Sequence, residues 1–361
     1  MSRRSLLAAS AAAPAAAAGR QPVVVTSFAQ AAVQPPADPI RVVTMFDFEP
    51  AEVARIQAAV PGTRVEIQIC KTRPEFREKL RDAEVVYGNL RGEDLDYAPK
   101  LKWIQSGGAG VEGMDEAMKK SPVVMTNYAR TFAHGISETA IGLLLCLTRG
   151  IARYYMPQFY KNRTMNPVGT TKSDHHVELV GRTMGIVGMG GIGTMIGRRA
   201  YYGLDMRIVG TDAKPIPKPE FVSELRDPGW FAEMAPQVDV LVAAAPHTPQ
   251  TERMFNEKVF RSMKKTAYFL AMSRGKLFDD LALVRALKEG WIAGAGLDVF
   301  PQEPPPSSHP IFDCPNVVMS AHTSGWSPDR QVRLIDVFAD NVRRFALGLP
   351  LVNVVDKEKG Y

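Results

Sequence analysis

The chain predicts an α/β protein of two units, each a doubly wound parallel sheet, with one unit inserted within the other. Three observations point there. Short β-branched runs alternate with helical patterns from Ile40 onward, a glycine-rich turn restarts that rhythm at Met184, and a long helical pattern follows the last strand. At 361 residues the chain can give each unit its own core.

In the first unit, strands are expected at Arg41–Phe46, Val65–Ile69, Glu84–Tyr87, Leu101–Ile104 and Val123–Thr126, with helices such as Ala51–Ala59 and Arg73–Arg81 between them. A long helix is expected from Gly135 to about Tyr155, ended or kinked by Pro157, which lacks an N–H and clashes with the preceding turn. Thr164–Asp174, rich in Pro, Gly, Thr and Ser, reads as an exposed loop. The second unit places strands at Met184–Val187, Met206–Thr211, Val238–Ala245, Ala267–Met272, Ala293–Val299 and Val317–Ser320. A final helix begins near Pro328, a residue favoured in a first helical turn, and ends before Gly348. That helix and the tail Leu351–Val355 return to the first unit. The expected boundaries are a leader over 1–37, a first unit formed by 38–148 and 324–361, and an inserted unit over 149–323.

Composition excludes several classes. The apolar fraction of 45% and charged fraction of 23% are those of an ordinary globular protein. Of the net charge of +6, three positive charges (Arg3, Arg4, Arg20) lie before the first acidic residue, Asp38, and the remaining +3 is spread thinly. No basic run with aromatic interleaving appears, which argues against a nucleic-acid partner. Cys70, Cys146 and Cys314 are too scattered for metal ligation or a disulfide framework, and read as core residues. No metal is expected: adjacent His175 and His176 have no further ligands in their loop. Arg3-Arg4 followed by an alanine-rich run to Ala18 resembles a twin-arginine export signal, with an organellar transit peptide or an uncleaved tail as rivals. That run is too short and alanine-rich for a permanent membrane anchor.

The segment Met184–Gly193 carries the strongest chemical signal. Gly188, Gly190 and Gly193 make a G-x-G-x-x-G turn between a strand and a helix, and Asp212 closes the next strand 19 residues after Gly193. The first glycine allows the tight turn, the second lets backbone approach a pyrophosphate, and the third lets helix pack on strand. A carboxylate at that distance grips ribose hydroxyls and repels a 2′-phosphate, so NAD is expected over NADP. This inserted unit is therefore a Rossmann-like nucleotide domain, and an active cleft is expected between it and the substrate domain.

Three residues just past strand ends face that cleft in sequence order: Arg274, Glu303 and His322. A guanidinium clamps a carboxylate, a histidine passes a proton near neutral pH, and a carboxylate beside it stabilises the imidazolium and fixes its orientation. The set suits hydride transfer to a 2-keto acid. His134, His175, His176, His247 and His309 read as structural or exposed, while Arg91 and Arg130 can shape an acidic-substrate pocket or remain solvated.

At this point the chain resembles the D-isomer-specific 2-hydroxyacid dehydrogenases, from about Val42 to Tyr361. The blocks that carry the resemblance are Gly185–Gly193, Pro246–Thr251, Ser273–Leu277, Gly296–Pro304 and His322. The resemblance implies Arg274, Glu303 and His322 as the catalytic set. It also implies Asp298 on the nicotinamide carboxamide, Gly191 and Ile192 on the pyrophosphate, and cofactor contacts from Pro246, Thr251 and Met272. The loop Gly107–Val111 would receive the substrate carboxylate through Gly108, Ala109 and Gly110. The ending Asn353–Tyr361 looks like the glyoxylate and hydroxypyruvate reductase branch, and a homodimer packed through the nucleotide domains is implied. Ala271 and Ala321 depart from the family's usual Asn and Pro. The rival reading is a dinucleotide-sensing binding protein, as the C-terminal-binding-protein corepressors resemble; retention of all three catalytic residues and the leader disfavour it.

Overall fold

The computed structural model describes residues 38–111, 113–163 and 176–361. The expected leader 1–37, the loop Thr164–Asp174 and His175 lie outside the described residues. The first sheet contains β1 (Ile40–Thr44), β2 (Val65–Ile69), β3 (Val85–Tyr87), β4 (Trp103–Gln105) and β5 (Val124–Thr126). Its order is β2-β1-β3-β4-β5, with every pair parallel and Val42 opposite both Ile67 and Val85. Parallel sheets need cover on both faces because crossover helices pass over each. One face lies under the helices Pro50–Ala58 and Arg330–Ala346, where Phe48, Tyr87, Trp103 and Phe338 are buried together. The other face buries Phe76, Leu80, Ile104 and Met118.

The helix Arg330–Ala346 belongs to this sheet although it is the last in sequence. Leu334, Ile335, Phe338, Ala339 and Val342 recur at helical spacing and are all buried. Buried Asn341 ties it down: its Nδ2 donates to Gln105 Oε1 at 3.4 Å and to the Val352 carbonyl at 3.2 Å, and its Oδ1 accepts from the Val352 amide at 2.8 Å. The tail then pairs antiparallel with β5 through Thr126 and Val354. The return to the first sheet follows from this stripe and these bonds.

The second sheet contains β6 (Thr183–Val187), β7 (Arg207–Thr211), β8 (Val222–Arg226), β9 (Val240–Ala243), β10 (Tyr268–Ala271), β11 (Gly294–Leu297) and β12 (Val317–Met319). All are parallel, in the order β12-β11-β10-β9-β6-β7-β8. The central strands β9, β10 and β11 are buried at every residue, which is why they read as unbroken apolar runs. Two Rossmann-like parallel sheets therefore make up the fold.

Two sequence expectations need correction. Edge strand β8 was not foreseen, because Ser223, Glu224 and Arg226 interrupt its apolar residues and an edge strand has less surface to bury. The long helix ends at Thr148, not near Pro157. Gly150 takes the left-handed conformation (φ 66°) that favours glycine past a helix end, and the chain resumes at a bend of 61°. Pro157 sits in the first turn of Met156–Tyr160, where its missing N–H costs no bond. Among the described residues no single helix is long and apolar enough to cross a membrane.

Each sheet reverses its strand order once, between β1 and β3 in the first and between β6 and β9 in the second. Ligands of open α/β sheets bind beyond the carboxyl ends of the strands at such reversals.

Candidate active site

The glycine turn sits at the reversal of the second sheet. Gly188 has φ +94°, and a Cβ there would meet the Ala245 amide at 2.5 Å. A Cβ on Gly193 would lie 2.0 Å from the Gly188 carbonyl, so only glycine lets the helix Gly191–Leu204 start so close to β6. At Gly190 a Cβ would meet nothing within 4 Å, which leaves backbone open to a phosphate. The amides of Gly191 and Ile192 belong to the helix's first turn, whose donors have no partner within the helix.

Asp212 stands just past β7 and steadies this turn. One oxygen accepts from the Met189 amide and the other from the Lys214 amide, each at 2.8 Å. A carboxylate has about four lone-pair sites, so two remain for ribose hydroxyls. The Lys214 ammonium lies 4.3 Å from the centre of the Tyr361 ring, a cation–π contact that occupies it. On the opposite side, Thr251 Oγ1 donates to the Pro246 carbonyl at 2.8 Å and closes the loop Pro246–Thr251. These residues fit a dinucleotide.

Arg274, Glu303 and His322 are brought together from three strand ends. His322 Nδ1 lies 2.7 Å from Glu303 Oε2. A carboxylate only accepts, so Nδ1 carries the proton and Nε2 is the free ring nitrogen. Glu303 is held in turn by the Phe300 amide, which donates to Oε1 at 2.9 Å. The turn that carries Arg274 passes directly beneath: a Cβ on Gly275 would lie 1.8 Å from the Phe300 carbonyl carbon. The Arg274 guanidinium donates to the Ser273 carbonyl at 2.7 Å.

His322 adopts φ +54°, a left-handed conformation uncommon outside glycine and held here by its surroundings. Asp298 imposes it. Its carbonyl accepts from the His322 amide at 2.7 Å, and its Oδ1 accepts from Ser320 Oγ at 2.8 Å and from the amides of Thr323 and Ser324 at 3.2 Å. Ser324 Oγ donates to Oδ2. At 1% exposure Asp298 is a buried anchor for the histidine loop, and it also borders the cavity. The opposite wall comes equally close: a Cβ on Gly135 would lie 2.6 Å from the Ser324 carbonyl.

A cavity of about 320 Å³ joins these parts. Ile192, Met272, Arg274, Asp298 and His322 border it on one side, and Gly108, Ala109 and Gly110 on the other. The glycine loop is fixed by the Tyr128 amide on the Gly108 carbonyl at 3.0 Å and by Asn127 Nδ2 on the Ala109 carbonyl at 2.7 Å. Arg130 and Arg330 add two further guanidiniums to Arg274, so three cations surround the space. Arg130 has φ +72°, and its stem covers Gly191 at the start of the nucleotide helix. Arg91 is exposed, 3.7 Å from Glu93, and does not border this cavity.

Trp326 and Arg330 were not singled out from sequence. They reach the cavity only because the last helix folds back onto the first sheet, with the Arg330 guanidinium 5.4 Å from the Trp326 ring centre. A Trp and an Arg close behind His322 were the available signal. Of the other histidines, His176 meets the Tyr155 hydroxyl at 3.0 Å, His309 meets Asp280 at 3.2 Å, His134 is exposed and His247 lies 3.7 Å from Glu252. Ala271 ends β10 fully buried, and Ala321 is exposed.

Comparisons with known proteins place the chain in a family. Residues 141–324 match the family model described as D-isomer specific 2-hydroxyacid dehydrogenase, NAD binding domain. The chain is 33% identical over 290 residues to a glyoxylate reductase of Korarchaeum cryptofilum, covering 78% of this chain and 85% of that one. It is 30% identical over 327 residues to a glycerate dehydrogenase of Methylorubrum extorquens, covering 87% and 98%. A solved structure from Aeromonas salmonicida, described as a D-isomer specific 2-hydroxyacid dehydrogenase family protein, superposes with a TM-score of 0.71 at 26% identity, covering 89% of this chain and all of that one. With its glycine turn, its buried anchor and its histidine–glutamate pair on two parallel sheets, the chain belongs to the D-isomer-specific 2-hydroxyacid dehydrogenase family.

Proposed function

We propose that the chain is an NAD-dependent oxidoreductase that interconverts a D-2-hydroxy acid and its 2-keto acid. The observation that carries this reading is the 2.7 Å His322–Glu303 pair, whose histidine borders the same cavity as Arg274 and Ile192 of the nucleotide helix's first turn. The relatives named glyoxylate reductase and glycerate dehydrogenase support a 2-keto or 2-hydroxy acid as substrate. NAD is favoured over NADP, because the Asp212 carboxylate disfavours a 2′-phosphate.

Bound nicotinamide supplies the hydride in the reductive direction and takes it in the other. The chain's own groups do the rest. Gly190, Gly191 and Ile192 offer backbone to the pyrophosphate, and Asp212 takes the ribose hydroxyls. Arg274 and the amides of the loop Gly108–Gly110 hold the substrate carboxylate. His322 Nε2 gives a proton to the carbonyl oxygen, or takes one from the hydroxyl, while Glu303 keeps the proton on Nδ1 and stabilises the imidazolium. Three guanidiniums around the cavity favour an anionic substrate.

His322→Ala should lower kcat by about 100-fold or more while NADH binding, followed by fluorescence titration, survives. A variant turning over at the wild-type rate would sink the mechanism. A panel of glyoxylate, hydroxypyruvate, pyruvate and phosphohydroxypyruvate with NADH and NADPH separates the enzyme from a dinucleotide sensor, which would be silent throughout.

Assembly and location complete the proposal. A homodimer is supported by the apolar side chains Ile151, Met156, Phe159 and Tyr160, exposed by 39, 48, 43 and 78% along one short segment. Export through the twin-arginine route is supported by Arg3-Arg4 and the alanine-rich run behind them. Cell fractionation tests it: protein confined to the cytoplasm at full length would refute export.

A further inference from the structure

We infer that the substrate's side chain occupies a second cavity, and that the preferred substrates are 2-keto acids bearing a bulky, mainly apolar group, branched or aromatic, on the keto carbon. This rests on the reaction proposed above and names its substrate class. The second cavity measures about 650 Å³, and it shares Gly108, Gly110 and Arg330 with the catalytic one. It lies at the order reversal of the first sheet: Met45 and Phe46 follow β1, Gly88 and Asn89 follow β3, and Gly107 follows β4. A substrate held by its carboxylate on the loop Gly108–Gly110 therefore has open space on the side away from the nicotinamide site.

The apolar part of that space is aromatic and aliphatic, while Asn89, Ser106, Gln331 and Arg330 supply its polar part. Phe76, Tyr87 and Leu334 form a buried floor, while Met45 and Phe46 stand 44% and 42% exposed at its edge. Large apolar groups left wet inside a concave site are stabilised when a ligand displaces that water. The Phe46 ring is already held, with ring centres 5.0 Å from Phe48 and 5.5 Å from Tyr87, so little ordering remains to oppose binding. The second cavity's wall beside the shared Gly108 is bare backbone: a Cβ at Gly88, Gly107 or Gly108 would meet nothing within 4 Å. Arg330, at the junction, has no carboxylate partner among the described residues and can meet the acid group. Glyoxylate has only hydrogen on its carbonyl carbon and would leave this cavity unfilled.

Initial rates with NADH on the full chain test the inference, comparing phenylpyruvate and 4-methyl-2-oxopentanoate with glyoxylate and hydroxypyruvate. The bulky acids should exceed the small ones in kcat/KM by about 10-fold or more. Glyoxylate reduced as efficiently as the bulky acids would overturn the substrate class and leave the reaction standing; no reduction of any 2-keto acid would overturn both. Met45→Trp, which narrows the cavity, and Phe46→Ala, which removes its ring, should each lower the phenylpyruvate-to-glyoxylate ratio by about 10-fold. An unchanged ratio in both folded variants would also overturn it.

Discussion

In the proposed mechanism Glu303 acts on the reaction through His322, and its worth can be measured separately from binding. Its Oε2 fixes the Nδ1 proton and its Oε1 is itself fixed by the Phe300 amide. Glu303→Gln keeps the shape, but its side-chain NH2 can face Nδ1, which favours the wrong tautomer. We expect kcat to fall by about 100-fold or more with the NADH dissociation constant little changed. A loss confined to KM would assign Glu303 to substrate binding. Both residues were legible from the sequence as strand-end residues in order. Their contact was not, because 19 positions and a turn with a buried anchor separate them. Asp298 shows the same limit: the sequence marks it as an acid in a motif, but not the hydrogen bonds by which it anchors the His322 loop.

At the scale of elements, the inserted sheet is pinned where its first strand begins. Asp239, just before β9, accepts from the Thr183 amide at 2.9 Å and from Lys264 at 2.9 Å. Burial alone would raise its carboxyl, but these bonds and the nearby Lys264 and Arg182 outweigh it and hold it below the usual carboxylate range. A group depressed in the folded state contributes fully above its unfolded value of about 3.9 and loses that contribution as pH falls through the folded value. Urea unfolding of wild type and Asp239→Asn should therefore differ most above pH 4 or so, and the gap should close on further acidification. A gap independent of pH would remove Asp239 from the acid sensitivity of the fold. The sequence marked most of these strands because buried parallel strands are continuously apolar. It missed β8, whose edge position leaves its polar residues in place, and it missed the break at Gly150, because Pro157 is the stronger breaker on paper.

For the whole molecule, the bent segment after Thr148 bears on assembly. Phe159→Glu with Tyr160→Glu places two charges on the exposed apolar surface there, and sedimentation should show a dimer becoming a monomer. A variant that sediments like the wild type would exclude this surface as the contact. The same scale carries the inferred substrate class, because the two cavities meet where the C-terminal helix brings Arg330 beside the glycine loop of the first sheet.

The sequence alone determined the class of fold, the dinucleotide turn with its acid, and the residues proposed as proton donor, its carboxylate and the guanidinium clamp. Each of these is local, since periodicity, turn chemistry and residue type act over a few positions. Tertiary structure alone decided which groups touch. It paired His322 with Glu303, gave Asp298 to the histidine loop, delivered Trp326 and Arg330 to the cleft and opened the aromatic cavity beside it. Those outcomes depend on strand order and on the return of the last helix, which bring residues more than 200 positions apart, such as Gly108 and Arg330, into one site.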